Sequence, residues 1–340
     1  MAHADLREVA ETFAARIPNL IDQVDRLVQA IPSGSVTTYG DLAKALGDSV
    51  ASRWVATYLL DPQCSVAELS HRVVRSTGEV GLHSSDSCDT KIELLRTEGI
   101  VVNSGKIQLA AYRTELPPTI ASLSKLKAWQ RDFECPDQPA FDLSQVETIG
   151  GIDVSYSKRN AVSACSCVQS DGETVIGTHT CAGQATFPYI TGYLAFREIP
   201  LHLNLLAEMQ TAAVLPDVLL VDGNGRLHSR RMGIATMLGA LTGIPTIGVA
   251  KKLICGVVPA PRLKVGKWEP IVASKDEPDD ILGYAIVPHT KTKHPIYVSR
   301  GFGMNDDSMK TIVERCLAGH RSPEPIYWAD RESRAIASTQ

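Results

Sequence analysis

Long apolar runs are missing from this 340-residue chain. None approaches the roughly 18 residues that a bilayer-spanning helix requires, so no membrane segment is expected. Cysteine is sparse and unpatterned. The eight cysteines, at 64, 88, 135, 165, 167, 181, 255 and 316, form no C-x-x-C pair and no framework spacing, which argues against zinc fingers and a disulfide scaffold and for a reducing cytoplasm. A strong charge of either sign is absent as well. The net charge is −4, with 10 Lys and Arg against 14 Asp and Glu in residues 1–112 and 24 against 24 in the remainder. A broadly basic surface is thereby excluded, and any phosphate-bearing partner must be held by local clusters of Lys and Arg. Internal repeats and low-complexity tracts are also lacking. The opening MAHADLREVAETFAARIPNL carries Asp and Glu within an amphipathic pattern, so neither a secretory leader nor an acid-poor transit peptide is expected there.

With 44% hydrophobic and 21% charged residues, the composition is globular, and the length suits two domains, each with its own core. Helical spacing in Leu20-Ile21, Val24 and Leu27-Val28 ends at Pro32-Ser33-Gly34; further helices are predicted over Asp41 to Leu46 and Val50 to Leu60. With a strand-like HRVV at 71–74 and a helical KIELLRTEG at 91–99, they suggest a compact helix-turn-helix domain over 1–111. Residues 112–119 form a linker with the Leu116-Pro117-Pro118 breaker, and the second domain spans 120–340. SLSKLKAWQRDF reads as one helix and ECPDQPAFD as irregular. Next come three antiparallel strands, TIGGIDVSYS, AVSACSCVQS and ETVIGTHTCAG, then a helix in YLAFREIPLHLNLLAEMQ, the strand VLLVDG, a helix over RRMGIATMLGALTG and the strand TIGVAKK. Alternating strand and helix extends the sheet in parallel fashion, giving an α/β, ribonuclease-H-like mixed sheet with flanking helices.

Two carboxylates stand where burial is costly. Asp153 lies inside the strand GGIDVSY, and Asp222 ends the apolar Val218–Val221 run at the carboxyl edge, where open α/β sheets place ligands. Neighbouring strands would bring them together, and two such charges about 4 Å apart repel by roughly 4 kcal/mol at an effective dielectric near 20. Adding Glu198 makes a shared proton insufficient, and an all-oxygen set favours Mg²⁺ or Mn²⁺ over zinc. His228, Arg230 and Arg231 follow the GNG turn, and Lys251-Lys252 end the next strand. Cations beside such acids suit phosphodiester hydrolysis. Taken singly, each has a plainer reading: an acid as a turn residue or helix cap, His228 as a core or surface histidine, the lysines as a solvated pair.

GGIDVSYS, PYITGYLAFRE, LLVDGNGRLHSRRMGIA, TIGVAKKL and SPEPIYWAD, in this order, resemble endonuclease V over about residues 120–335. The resemblance implies a Mg²⁺-dependent repair nuclease, with Mn²⁺ as a substitute, cutting DNA one nucleotide 3′ of deoxyinosine. Inosine-containing RNA is the alternative substrate, and a non-enzymatic lesion sensor the rival from another class. It also implies that Asp153, Glu198 and Asp222 hold metal and that His228 and Lys251 support the phosphate or water. By the same resemblance, Asp330 stands where family members carry an acidic residue or His near the metals. PYITGYLAFRE also resembles the family's strand-separating wedge, in which Tyr189, with Pro188, Ile190 and Gly192, would fill the gap left by an extruded base, and Thr191 stands where the family usually has a second proline.

The first domain is similar to the DNA-binding domain of O6-alkylguanine-DNA alkyltransferases, in IPSGSVTTYGDLAKALG, ASRWVATYLLDP, SHRVV and KIELLRTEG. That family's Pro-Cys acceptor is replaced by Leu69-Ser70, and a serine hydroxyl is a far poorer nucleophile than an activated thiolate. A non-catalytic, alkyltransferase-like winged helix-turn-helix is therefore expected. Arg53 would fill the vacated stack, Tyr39 would press on the flipped nucleotide's phosphate, and Ser70 and Arg72 would line the base site. The chain is expected to be a cytoplasmic monomer that binds damaged DNA.

Overall fold

The computed structural model describes residues 4–83, 88–133, 141–157, 160–260, 262–289, 292 and 294–339. Most of ECPDQPAFD, with Cys135, lies outside them. No helix among the described residues is long and apolar enough to cross a membrane. The chain divides into two compact units, one of residues 18–129 with 187–191, the other of 1–17, 130–186 and 192–340.

Helix α1 (Leu6–Ala15) belongs to the second unit, although the sequence placed it in the N-terminal domain. The reason is its apolar face. Leu6, Ala10 and Phe13 are buried, and Phe13 stacks on Phe196 with ring centroids 6.3 Å apart. The Leu6 N–H donates to Gln210 Oε1 at 2.9 Å, which anchors the helix start to the helix Leu194–Thr211 of the same unit.

The first unit runs through α2 (Leu20–Gln29), the two-residue strand β1 (Thr37–Thr38), α3 (Tyr39–Ala45), α4 (Ser52–Leu60), β2 (Val73–Val74), α5 (Cys88–Thr97), β3 (Val102–Asn103), β4 (Lys106–Ile107), α6 (Leu109–Tyr112) and most of α7 (Ser122–Asp132). Thr38 starts α3 with a reciprocal cap: its side chain accepts from the Asp41 N–H, and the Asp41 carboxylate accepts from the Thr38 N–H. Only the last two residues of HRVV are strand, paired in parallel with β1, because residues 67–72 coil into a 3₁₀ turn. Val36, Val74, Val80, Leu95, Ile100, Val102 and Ile107 form one apolar core.

In the second unit, the three expected antiparallel strands are β5 (Thr148–Ser157), β6 (Asn160–Gln169) and β7 (Val175–Gln184). After them come α8 (Leu194–Thr211), β8 (Val218–Asp222), α9 (Ile234–Thr242) and β9 (Thr246–Ala250). Three strands not foreseen in the sequence, β10 (Glu269–Ser274), β11 (Glu277–Ile286) and β12 (Ile296–Arg300), complete the sheet, and α10 (Asp306–Arg315) and α11 (Glu324–Ala337) close the chain. The sheet has eight strands in the order β10-β11-β12-β9-β8-β5-β6-β7, parallel only at β5-β8 and β8-β9. Helix α9 starts at Ile234 rather than at Arg230. A Cβ on the preceding Gly233 would come within 2.1 Å of the Asn224 carbonyl oxygen, so this turn packs directly on the GNG loop.

Strand alternation divides the functional groups between two faces. Odd-numbered β5 residues face α11: a Cβ on Gly151 would lie 2.2 Å from the Pro325 carbonyl carbon, and the Ser155 and Ser333 hydroxyls are 2.8 Å apart. Even-numbered ones face α8, as the Tyr156 hydroxyl shows by donating to Glu198 Oε1 at 3.0 Å. The α11 side carries an apolar core, built from Ile149, Val218, Leu220, Ile247, Val249, Ile312 and Ile326 among others.

Candidate active site

The parallel pairing of β5 and β8 sets the site. Ile152 is opposite Val221, so Asp153 and Asp222 take the next positions along the two strands, side by side where the apolar run stops. Both point to the α11 face, where Asp330 joins them: it hydrogen-bonds Asp153 and adds its charge to that of Asp222. Burial first, then these two carboxylates, pushes the Asp153 carboxyl well above the usual carboxylate range. Lys251, one residue beyond β9, donates its ammonium to Asp222 Oδ2 at 2.6 Å. Burial would pull this lysine down, but the charges of Asp222, Asp153 and Asp330 more than offset that and hold it above its ordinary value. Arg321 fixes the turn by donating to the Lys251 and Pro295 carbonyl oxygens.

Glu198 approaches from α8. It is buried and its carboxyl is pushed up to about 8, by burial above all and then by the charge of Asp222, with the Tyr156 hydroxyl working the other way. Glu198 thus feels Asp222 but spends its hydrogen bond on Tyr156, and Asp330, not Glu198, is the third acid against Asp153. Among the described residues no three His, Cys, Asp or Glu side chains form a group able to hold a metal ion as they stand. The donor chemistry nevertheless fits a hard cation: oxygen ligands only, an excess of buried carboxylate, and one ammonium as the charge that balances it. Tyr156 escaped the sequence reading, although its place three residues after Asp153 puts it on the opposite face, level with α8.

His228 is buried, and burial followed by the Arg230 charge lowers it to about 4, leaving a neutral imidazole. Its Nδ1 accepts from the Arg230 N–H at 3.2 Å. Arg230 also lies over the Tyr193 ring, 4.8 Å from its centroid, and donates to the carbonyl of Gly192, whose φ of 82° is one that glycine adopts freely. In the PYITG segment, Tyr189 is 64% exposed while Ile190 is buried.

In the first unit, Tyr39 and Arg53 line a cavity of about 470 Å³ together with Arg75. The Tyr39 hydroxyl accepts from buried Lys91 at 3.4 Å, and burial lowers this lysine to about 7. Ser70 and Arg72 do not line the cavity. The Ser70 hydroxyl donates to the Ala67 carbonyl at 2.8 Å, and Arg72 is committed to Glu98 and to the Ile31 carbonyl.

A mixed sheet flanked by helices, with acids and a lysine gathered at the carboxyl ends of its central parallel strands, is the framework of a ribonuclease-H-like nuclease. The endonuclease V family profile matches residues 133–331, and that of the 6-O-methylguanine DNA methyltransferase DNA-binding domain matches residues 19–100. Endonuclease V of Ignicoccus hospitalis is 37% identical over 201 residues, covering 59% of this chain and 88% of its own. A bifunctional methyltransferase/endonuclease of Picrophilus torridus is 35% identical over 236 residues, covering 68% and 74%. Endonuclease V of Ciona intestinalis, solved in complex with a 23mer DNA containing an inosine followed by a ribo-adenosine, has a TM-score of 0.58 at 30% identity, covering 65% of this chain and 99% of that one. The chain belongs to the endonuclease V family of divalent-metal-dependent DNA-repair nucleases and carries an alkyltransferase-like DNA-binding domain over residues 19–100.

Proposed function

We propose that the chain hydrolyses the phosphodiester one nucleotide 3′ of deoxyinosine in a Mg²⁺-dependent reaction, and that its first unit holds damaged DNA without accepting an alkyl group. The observation that carries this reading is the side-by-side placement of Asp153 and Asp222 with Lys251 on the latter. Asp153 and Asp222 are the residues that would hold the ion, with Glu198 joining once it turns from Tyr156; Mn²⁺ offers the same charge and oxygen preference. Bound there, the ion supplies Lewis-acid charge to the phosphate and to the attacking water. The protein's own groups do the rest. Lys251 pairs with Asp222 and adds positive charge beside the reacting phosphate. Neutral His228 holds or orients a proton-bearing group without adding charge, and Asp330 keeps Asp153 in place.

At the lesion, exposed Tyr189 fills the gap beside the extruded base, with Pro188, Ile190 and Gly192 shaping the segment that carries it. In the first unit, Arg53 and Tyr39 act at the cavity they line. The chain works as a monomer in the cytoplasm. The test is cleavage of labelled DNA and RNA oligonucleotides bearing one inosine, with and without Mg²⁺. Cutting of the DNA one nucleotide 3′ of the lesion is expected; cutting of RNA alone, or no cutting of either, would overturn the assignment.

A further inference from the structure

Beyond the acids, the GNG loop and the end of α7 enclose a second cavity, of about 350 Å³, lined by four arginines: Arg131, Arg226, Arg230 and Arg231. Among the described residues, none of those lining it is a carboxylate. Four guanidinium groups face one small space, where a bound anion would offset their mutual repulsion. Part of that charge is met within the protein, since Arg226 and Arg230 have partners of their own and Arg231 Nη2 donates to Asp280 at 2.5 Å. That pair leaves the opposite nitrogen, Arg231 Nη1, buried and without a hydrogen-bond partner. A second orphan lies in the same wall. Thr236, fully buried in the first turn of α9, lines the cavity with a hydroxyl that has no partner. Leaving a buried donor unsatisfied costs about 1–3 kcal/mol, so two in one wall point to a missing acceptor. The positive end of the α9 dipole falls on the same side.

The wall is also built rather than incidental. Arg230 Nε donates to Gln130 Oε1 at 2.9 Å, and Gln130 Nε2 donates to the Met232 carbonyl at 2.6 Å, which ties the end of α7 to the arginine loop. Arg231 has a φ of 58°, a left-handed backbone that few non-glycine residues adopt. The Arg230 guanidinium reaches from here to Gly192, at the end of the wedge segment.

We infer that this arginine cavity binds a phosphate of the nucleic-acid backbone, gripping the strand away from the bond that is cut. Guanidinium forks match phosphate oxygens bidentately, and the Thr236 hydroxyl donates to a third oxygen. The cavity supplies the local basic cluster that the acidic overall charge makes necessary. This assignment rests on the nuclease reading for its ligand, but not for its test.

The experiment measures binding of the full chain to a fluorescent single-stranded oligodeoxynucleotide bearing one inosine, by anisotropy, without added metal and across a salt series. Arg131→Gln and Arg231→Gln are each expected to weaken binding by about 3- to 10-fold and to reduce the slope of log affinity against log salt by roughly 0.7. Arg131→Lys restores the slope but not all of the affinity, because lysine keeps the charge and loses the fork. Arg131 lies at the exposed end of α7, so its variants keep the fold, and an unchanged Tm checks this. Wild-type affinity and slope in both Gln variants would overturn the proposal. So would a Tm increase with inorganic phosphate that Arg131→Gln abolishes while oligonucleotide binding stays unchanged, since the cavity then holds a free anion only. If the wild type fails to cut inosine DNA but the slope still falls in the variants, the cleavage reading fails and the phosphate cavity stands.

Discussion

Lys251 holds Asp222 at 2.6 Å, and Asp222 is the strand neighbour of Asp153. The three act as one electrostatic unit. Replacing Asp222 with Ala removes the carboxylate and strands the ammonium beside Asp153 and Asp330. Single-turnover cleavage of inosine DNA is expected to fall at least about 100-fold. Lys251→Met is expected to lower the rate by a similar order. Full cleavage by Asp222→Ala would remove the acids from the chemistry.

Tyr189 is exposed, so its ring contributes little to folding. Tyr189→Ala is expected to leave Tm within about 1 °C, since an exposed substitution away from special features shifts stability by under about 0.5 kcal/mol. Discrimination between inosine and guanine substrates should weaken by about 10-fold or more, the worth of one stacked aromatic at about 1–3 kcal/mol. Competitive cleavage of the two oligonucleotides provides the comparison. An unchanged ratio removes Tyr189 from recognition.

Gly151 lets α11 approach β5. In Gly151→Ala the new methyl meets the backbone of Pro325 and Ile326, and backbone cannot rotate aside. A loss of about 1–3 kcal/mol is expected from overpacking, seen as a Tm several degrees lower. Because α11 carries Asp330, cleavage should fall as well, even below the new Tm. An unaltered Tm would show that α11 shifts without cost.

Glu98 accepts from Arg72, from His71 and from the Gly34 N–H. Burial would raise its carboxyl, but these bonds outweigh it and pull Glu98 down to about 2. A folded-state value below the unfolded one means that the stability it contributes is fully present above the unfolded carboxylate pKa near 4.3 and disappears as pH falls toward 2. Glu98→Gln is expected to cost about 2 kcal/mol at pH 7. It should also flatten the acid side of the urea-unfolding profile between about pH 4.5 and 2. Parallel profiles for wild type and variant would remove Glu98 from the pH response.

Ser70 has its hydroxyl turned to the Ala67 carbonyl, and Leu69 replaces the proline that precedes the acceptor in the alkyltransferases it resembles. Neither the wild type nor Ser70→Cys is expected to take up methyl groups stoichiometrically from labelled methylated DNA. Uptake by the wild type would reverse the reading of the first unit.

Much of the nuclease half was legible because its chemistry coincides with its periodicity. The strands β5 to β9 announce themselves by β-branched runs and turn residues, and Asp222 is conspicuous because it interrupts an apolar strand. The neighbouring strands β10 to β12 carry Pro270, Pro278 and a run of acids at the start of β11, which blurs the alternation, and they join the rest of the sheet only through the pairing of β12 with β9, far back along the chain. Glu198 was visible as an acid but not as the partner of Tyr156, since that bond depends on which face of β5 meets α8. The start of α9 was read too early because helix-forming Arg and Met outweighed, on propensity, the tertiary contact that Gly233 makes.

The placement of α1 reshapes what "N-terminal domain" means here. Residues 18–129 are inserted into the nuclease rather than threaded before it, since the segment ahead of them completes the packing around Phe196. Trimming the chain at residue 130 to obtain the nuclease alone would therefore strip a helix from it and bare an aromatic seam. A shortened enzyme that keeps this packing must retain residues 4–17.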